Sequence, residues 1–145
     1  MKRQWLPNFS ELIDRLSIHQ LKEVFIPQHK DKYSKEMGDI KNDIDIIIKE
    51  KKIELTADLI SAIIVISQMN AHIWYNESKA RSGGDQDLHL LKLTHGINGI
   101  RNSAGNYILE IIGDIDRMDW KTDSLAAEFK DWDISLLKRI RESSK

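Results

Sequence analysis

The chain has 145 residues, a length that fits one domain, residues 1–145, with a hydrophobic core of its own. Hydrophobic residues make up 41% and charged residues 31%, and the net charge of −1 is dispersed along the sequence. This balance argues against extended binding of duplex nucleic acid, which needs a clustered basic surface. The absence of cysteine excludes disulfides, thiol chemistry and zinc–thiolate sites.

The sequence shows no signal peptide and no obvious membrane segment. Residues 1–7 are not followed by an apolar signal core. The most apolar run, residues 59–66, is flanked by Asp58 and Gln68 and is too short to cross a bilayer. We therefore expect a soluble, cytoplasmic protein that does not contact a membrane.

Helical patterns dominate the first part of the chain. The first helix is predicted over about residues 9–26, with Asn8 as its N-cap and Glu11 completing a capping box. Pro27 ends it, because the residue before a proline is pushed out of the helical region. The second helix is predicted over about residues 31–52, where apolar side chains recur at three- and four-residue spacing.

The third helix is predicted to begin after Thr56, a residue type that caps helices well, and to continue to about residue 81. Leu55 and Ile60 are placed as a hydrophobic staple across its first turn. A pair of glycines at positions 83–84 ends it.

Two more helices complete the predicted fold. The fourth covers about residues 85–112 and is ended by Gly113, and the fifth covers about residues 123–142. Short connections favour antiparallel neighbours. The sequence therefore predicts an all-α fold, an antiparallel bundle of about five helices.

Polar side chains interrupt the apolar stripe of the third helix, where Leu or Ile would be expected. At 100° per residue, Asn70, Glu77 and Arg81 share the face of Ile73 and Trp74. Glu77 and Arg81 are four residues apart, so they can pair along the helix. Burying such groups costs about 1–3 kcal/mol each unless they are paired or hold a ligand.

The fourth helix has a matching set of polar groups. Arg101 borders its apolar stripe, and His95, Asn98 and Asn102 lie together beside it. This helix also carries glycines, including Gly105, which cost about 1 kcal/mol each relative to alanine in mid-helix. Such glycines let another helix or a ligand approach the backbone closely.

These side chains have the chemistry of recognition. Tryptophan stacks on planar rings, arginine forks onto phosphate or carboxylate oxygens, and asparagine reads donors and acceptors. We expect a non-catalytic pocket between the third and fourth helices that binds a small anionic or nucleotide-like ligand, without cofactor or metal. The predicted ligand-binding residues are Asn70, Trp74, Glu77, Arg81, His95, Asn98, Arg101 and Asn102.

Two other interpretations of this pattern stay open. One is a buried polar network that only fixes the register of the helices. The other is a protein–protein interaction module.

The tryptophans predict a homodimer, because they are spread over too many faces for one small bundle. They are Trp5, Trp74, Trp120 and Trp132.

Three segments, residues 11–18 (ELIDRLSI), 73–81 (IWYNESKAR) and 97–102 (INGIRN), resemble the motifs of a family of small helical bacterial and phage proteins. The family has no assigned activity, and some members lie near cell-surface polysaccharide genes. In that family the first two motifs lie close together, whereas here residues 19–72 intervene. The resemblance implies a bacterial or phage accessory protein.

Residues 101–106 (RNSAGN) resemble the Arg-Asn-x-x-x-His signature of the all-α HEPN ribonucleases. In that family the arginine and the histidine flank the scissile phosphate. Asn106 stands here where the histidine belongs, and asparagine can neither take nor give the proton. The resemblance implies a degenerate relative that binds a nucleotide without cutting it.

Residues 36–39 (EMGD) and 54–60 (ELTADLI) are similar to the paired acidic motifs of MazG-type nucleotide pyrophosphohydrolases. Those enzymes use two carboxylates on each of two helices to hold magnesium at a triphosphate. The second pair, Glu54 and Asp58, is spaced by four residues rather than three. This resemblance implies a metal-dependent hydrolase as the enzymatic alternative.

Overall fold

The computed structural model describes residues 1–81, 87–118 and 135–136. These ranges contain four long α-helices, α1 (Phe9–Phe25), α2 (Lys30–Lys51), α3 (Ala57–Arg81) and α4 (Asp87–Ile112). Short 3₁₀ turns follow α1, at Pro27–His29, and α4, at Ile115–Arg117. No β-strand occurs in the part of the chain that is described, so the all-α class is confirmed.

The ends of α1 form as the local sequence predicts. The Asn8 side-chain oxygen accepts a hydrogen bond from the backbone N–H of Glu11 at 2.8 Å, which confirms the N-cap. The Glu11 carboxylate accepts a bond from the side-chain amide of Asn8 at 3.0 Å and not from its backbone N–H, so the predicted capping box forms only in its Asn8 half. The helix ends at Phe25, and Pro27 opens the 3₁₀ turn.

Other helix ends also follow local rules. The Thr56 hydroxyl accepts a hydrogen bond from the backbone N–H of Leu59 at 3.2 Å, at the start of α3. Gly113 ends α4 with a φ of +82°, a conformation that glycine adopts without strain. The predicted staple at the start of α3 buries little surface, because Leu55 is 78% exposed and Ile60 is 43% exposed.

The helices pack with α1 lying against the other three. The first turns of α3 share a core cluster with the last turns of α4, so these two helices are antiparallel. The first turns of α1 join the same cluster, and its last residue, Phe25, stacks on Trp74 near the other end of α3. The helices α1 and α3 are therefore roughly parallel. The Nε2 of His19 in α1 lies 2.7 Å from the Glu36 carboxylate of α2, so these two positions of α1 and α2 lie side by side.

In the described part of the chain, two clusters of buried apolar side chains form the core. The larger one centres on Ile66, Ala104 and Ile108, each at most 1% exposed, and the smaller one on Ile97 and Ile100. Packing of this kind, rather than helix propensity, supplies most of the stability of such helices.

The predicted fifth helix is described only at residues 135–136, which are helical. Leu136 is 8% exposed and belongs to the larger core cluster. The remainder of that predicted helix lies outside the described residues. The same holds for Trp120, Trp132 and the glycines at positions 83–84. The structure therefore shows the helical class without fixing the number of helices at five.

One helix, over Ala57–Lys79 of α3, is long and apolar enough by composition to cross a membrane. About 33% of its most apolar stretch is buried inside the molecule. A core helix of a soluble protein meets the same criterion. The buried part includes Asn70, whose polar atoms are bound by neighbouring helices.

Candidate ligand-binding site

A chain of polar side chains joins three helices at one level of the bundle. The Arg101 Nη1 of α4 donates to the Asn70 Oδ1 of α3 at 3.0 Å. The Asn70 Nδ2 in turn donates to the Asp14 Oδ1 of α1 at 2.8 Å. Arg101 also approaches Asp14 directly, with 3.8 Å between Nε and Oδ1. We call Asp14, Asn70 and Arg101 the polar relay.

Asn70 is the centre of the relay. It is 3% exposed, and both ends of its amide are used, the oxygen by a cation and the NH₂ by an anion. A side-chain amide supplies both the acceptor and the donor that this arrangement uses. If the amide were flipped, its NH₂ would face the Arg101 guanidinium, so Asp14 and Arg101 fix the orientation of the amide. In this orientation Asn70 holds Arg101 in place.

A polar cavity of about 190 Å³ lies beside the relay, between α1 and α4. Asp14 and Arg101 line it, and Ile66 of α3 forms part of its wall. The Nε of Arg101 is buried in the protein without a hydrogen-bond partner. The other polar lining groups include Glu11, Asn102, Asn106 and Arg117.

Arg117 enters the cavity from the turn that follows α4. Its Nη2 donates to the backbone oxygen of Leu6 at 2.9 Å and lies 3.6 Å from the Glu11 carboxylate. Its guanidinium stacks at 4.0 Å from the centre of the Trp5 ring, a cation–π contact. Like that of Arg101, its Nε is buried without a partner. The N-terminal segment thus holds Arg117 over the cavity.

Among the described residues that line the cavity, two arginines face two carboxylates. The closest charged atoms are 3.8 Å apart for Arg101 and Asp14, and 3.6 Å apart for Arg117 and Glu11. Both separations exceed the length of a charge-assisted hydrogen bond. The arginines therefore keep donors that an incoming oxygen acceptor can use, while the carboxylates are acceptors for hydroxyl or amino groups.

The structure brings together part of the predicted ligand-binding set. Asn70 and Arg101 are hydrogen-bonded, and Asn102 lines the same cavity as Arg101. Asp14 and Arg117, which sequence analysis missed, complete the arrangement. Asp14 lies 56 residues before Asn70, and Arg117 lies in an irregular acidic segment, so no helical periodicity points to either.

Other members of the predicted set lie elsewhere. Trp74 is half-buried and its ring stacks on Phe25, with the centres 6.2 Å apart. Glu77 and His95 are exposed, and Asn98 is half-buried. Glu77 is about 10 Å along the α3 axis from Asn70, by the rise per residue. The side chain of Arg81 lies outside the described residues.

A close approach of α1 and α4 shapes one wall of the cavity. A Cβ placed on Gly105 of α4 would lie 2.7 Å from the Oγ of Ser10 in α1, which is shorter than real contacts of this kind. Ser10 itself is 7% exposed. Gly105 therefore lets the two helices approach closely, as glycines of the fourth helix were predicted to do.

Replacing Gly105 by alanine is expected to give little or no stabilisation in the parent, because the gain in helix propensity is offset by the clash with Ser10. In a Ser10→Ala background the Oγ is gone, and the same change should stabilise the fold by about 1 kcal/mol. Thermal or urea unfolding of the parent, the two single variants and the double variant measures the coupling between Ser10 and Gly105. Equal effects in both backgrounds would contradict the close approach.

The residues behind the two enzymatic resemblances are also located. The Glu36 carboxylate binds His19 at 2.7 Å, and no group of three or more potential metal ligands occurs among the described residues. Asn106 is 5% exposed and lines the polar cavity with Arg101 and Asn102. The HEPN-like segment therefore faces this cavity, while the acidic motifs do not contribute to it.

Comparison with known proteins assigns no family. No protein-family model matches the chain, and neither a curated protein nor a solved structure shows significant similarity to it. The resemblances of short motifs therefore stay predictions, and function is argued from the site itself.

Proposed function

We propose that this protein binds a small ligand, without chemical turnover, through an anionic group held by Arg101 and Arg117 in the polar cavity. The observation that carries the proposal is the pair of arginines, one from α4 and one from the turn after it, that line one polar cavity. Each guanidinium carries five N–H donors, more than the hydrogen bonds described above use, so an anionic oxygen in the cavity can accept from the donors that remain.

The size of the cavity narrows the ligand. Its volume of about 190 Å³ is below the roughly 300–1,000 Å³ of pockets that enclose a drug-sized molecule. It suits a phosphate, a sulfate or a small carboxylic acid. A nucleotide-like ligand would place one phosphate inside and the base and sugar outside, so the anionic group is the recognised feature.

The carboxylates refine the chemistry. An anion beside the arginines also lies near Asp14 and Glu11, which repel it unless the ligand carries a donor for them. A hydroxyl next to the phosphate or carboxylate meets this need, as in sugar phosphates and hydroxy acids. Asn102 on the same cavity supplies a further neutral donor and acceptor. The favoured ligand is therefore a hydroxylated small anion.

A second candidate function is a degenerate HEPN-type module that holds a single nucleotide phosphate. The observation in its favour is that Arg101, Asn102 and Asn106 line one cavity. Asn106 has no titratable proton, so this arrangement supports phosphate binding rather than ribonuclease chemistry. Metal-dependent nucleotide hydrolysis draws less support, since Glu36 is engaged by His19. The homodimer, the cytoplasmic location and a bacterial or phage accessory role remain predictions.

The test is a binding screen of the full chain against inorganic phosphate, sugar phosphates, small hydroxy acids and nucleoside monophosphates. Calorimetry or thermal shift detects binding, because a ligand at 100 times its Kd raises stability by about 2.7 kcal/mol. Replacing either arginine of the cavity by glutamine should weaken binding by roughly ten- to hundredfold, since each loses a charge-assisted bond. Arg15→Gln, on the exposed face of α1, is the control and should bind as the parent does.

Asn102→Ala separates ligand binding from the structural role of the relay. Asn102 lines the cavity outside the relay, so its loss should lower affinity while leaving the unfolding temperature nearly unchanged. No binder in the screen, together with lower stability of Arg101→Gln, would favour a purely structural network. Magnesium-dependent release of phosphate from nucleoside triphosphates would favour the hydrolase.

A further inference from the structure

A second cavity lies between α1, α2 and α3, and the proposed anion site makes no use of it. Its volume is about 520 Å³, within the range of ligand pockets. Its walls are apolar and include Phe9, Ile13, Ile44, Leu59 and Ile63. None of its described lining residues also lines the polar cavity, so the two sites can be tested separately. We call it the apolar cavity.

The polar groups of the apolar cavity are few and neutral. Ser17 and Gln20 lie three residues apart on one face of α1, and Ser67 lies on α3. Gln20 and Ser67 are exposed, which places them at the rim. Among the described lining residues none is Asp, Glu, Lys, Arg or His. A charged ligand group buried there would find no counter-ion, whereas a hydroxyl or an amide would find partners.

The direction of the helices gives the cavity two distinct ends. Since α1 and α3 are roughly parallel, Phe9 and Leu59 lie towards one end and Gln20 and Ser67 towards the other. The helical rise gives a length of about 12 Å between Leu59 and Ser67. Leu55, 78% exposed, extends the apolar wall at the first end. The cavity is therefore elongated, apolar at one end and neutral polar at the other.

We propose that the apolar cavity binds an uncharged amphiphile with a narrow apolar body of medium length and a neutral hydrogen-bonding head. The apolar body lies among Phe9, Ile13, Ile44 and Leu59. The head, a hydroxyl or an amide, exchanges hydrogen bonds with the Ser17, Gln20 and Ser67 side chains. Selection for a neutral head follows from the neutral lining, and selection for length follows from the distance between the two ends.

The experiment uses the neutral fluorophore N-phenyl-1-naphthylamine with the full chain, and 1-decanol, decanoate and decylammonium as competitors. The fluorophore should bind with enhanced emission, and 1-decanol should displace it. Decanoate and decylammonium share the alkyl chain and should compete at least about tenfold more weakly, because a charged head beside the half-buried Ser17 loses hydration and finds no counter-ion among the described lining residues. Equal competition by all three, or no binding of the fluorophore, would overturn the proposal.

Filling the cavity supplies the structural control. Ile63→Phe enlarges a half-buried wall residue and should weaken binding of the fluorophore and of 1-decanol by about tenfold or more. Ile64→Phe, at the next position on α3, changes a 49% exposed side chain outside the cavity and should bind normally. If Ile63→Phe alters the oligomeric state while the parent binds no fluorophore, the cavity is a contact between copies and the proposal fails.

A change of head-group preference tests the polar end, and it remains informative if Ile63→Phe folds poorly. Ser67→Lys places a cation at the rim and should improve competition by decanoate by about tenfold relative to 1-decanol. Ser61→Lys, an exposed position on α3 outside the cavity, should leave the preference unchanged. The same response in both variants would show that the alkyl chain does not lie in this cavity with its head at Ser67.

Discussion

Asn70→Asp is expected to lower the free energy of unfolding by about 2–4 kcal/mol at neutral pH. The substitution keeps the shape of the side chain and replaces the NH₂ that donates to Asp14, at 2.8 Å, by a second carboxylate oxygen. Two carboxylates at that distance repel each other, and the new one is buried at a position only 3% exposed. The attraction to Arg101 offsets only part of this cost, because Asp14 already uses that charge.

The pH dependence follows from the same contacts. Burial and the Asp14 carboxylate raise the pKa of the introduced Asp above its value of about 3.9 in the unfolded chain. Because the folded-state pKa is raised, the stability of the variant approaches that of the parent at pH values below the unfolded-state pKa of the introduced Asp. Its stability relative to the parent falls as the pH rises through the folded-state pKa. Urea unfolding of both proteins between acidic and neutral pH measures this difference.

Gln68→Glu is the matched control for Asn70→Asp. It makes the same kind of change on an exposed position two residues away in α3 and should alter stability by no more than about 0.5 kcal/mol. If Asn70→Asp were as stable as this control at neutral pH, the relay would not exist as described. Loss of binding of a small anion in Asn70→Asp, measured where the variant is folded, would extend the role of Asn70 to positioning Arg101.

Ile66→Ala is expected to destabilise the protein by about 2–5 kcal/mol, since it opens a void in a packed core. Ile66 is 1% exposed, belongs to the larger core cluster and also forms a wall of the polar cavity. Thermal or denaturant unfolding measures the loss. The spread of the expected value depends on how far Phe9, Ala104 and Ile108 relax into the space.

Ile64→Ala on the same helix is the control for Ile66→Ala. Ile64 is 49% exposed, so truncating it should change stability by no more than about 0.5 kcal/mol. The ratio of the two effects reports which face of α3 is buried in the bundle. Similar losses for both positions would show that α3 is covered on a face that the described residues leave open.

The sequence by itself determined the elements whose causes are local. Asn8 and Thr56 cap α1 and α3, Pro27 stops α1, and Gly113 ends α4 with a positive φ. Each of these features depends on groups no more than about four residues apart, so it can be read from one stretch of chain. The repeated apolar spacing predicted the helices for the same reason.

The site was only partly predictable, as Arg101 shows. Its position beside an apolar stripe indicated a half-buried cation in need of a partner, and Asn70 was marked by the same argument. Periodicity placed Glu77 on the stripe as well, yet Glu77 is exposed. The helix α1 ends at Phe25, whose ring stacks on Trp74 of α3. In this part of α3 the buried polar residue is Asn76 and not Glu77.

Only the tertiary structure decided which groups meet at the site. Asp14 reaches Asn70 across 56 residues of sequence, and Arg117 reaches Leu6 across 111. Such pairings depend on how helices rotate and cross when their apolar stripes pack, and helix ridges and grooves allow several crossing geometries for the same stripes. A helical pattern therefore indicates the face that is buried along most of each helix, while the packing of α1 against α3 and α4 decides where that burial stops and which partner each buried polar group finds.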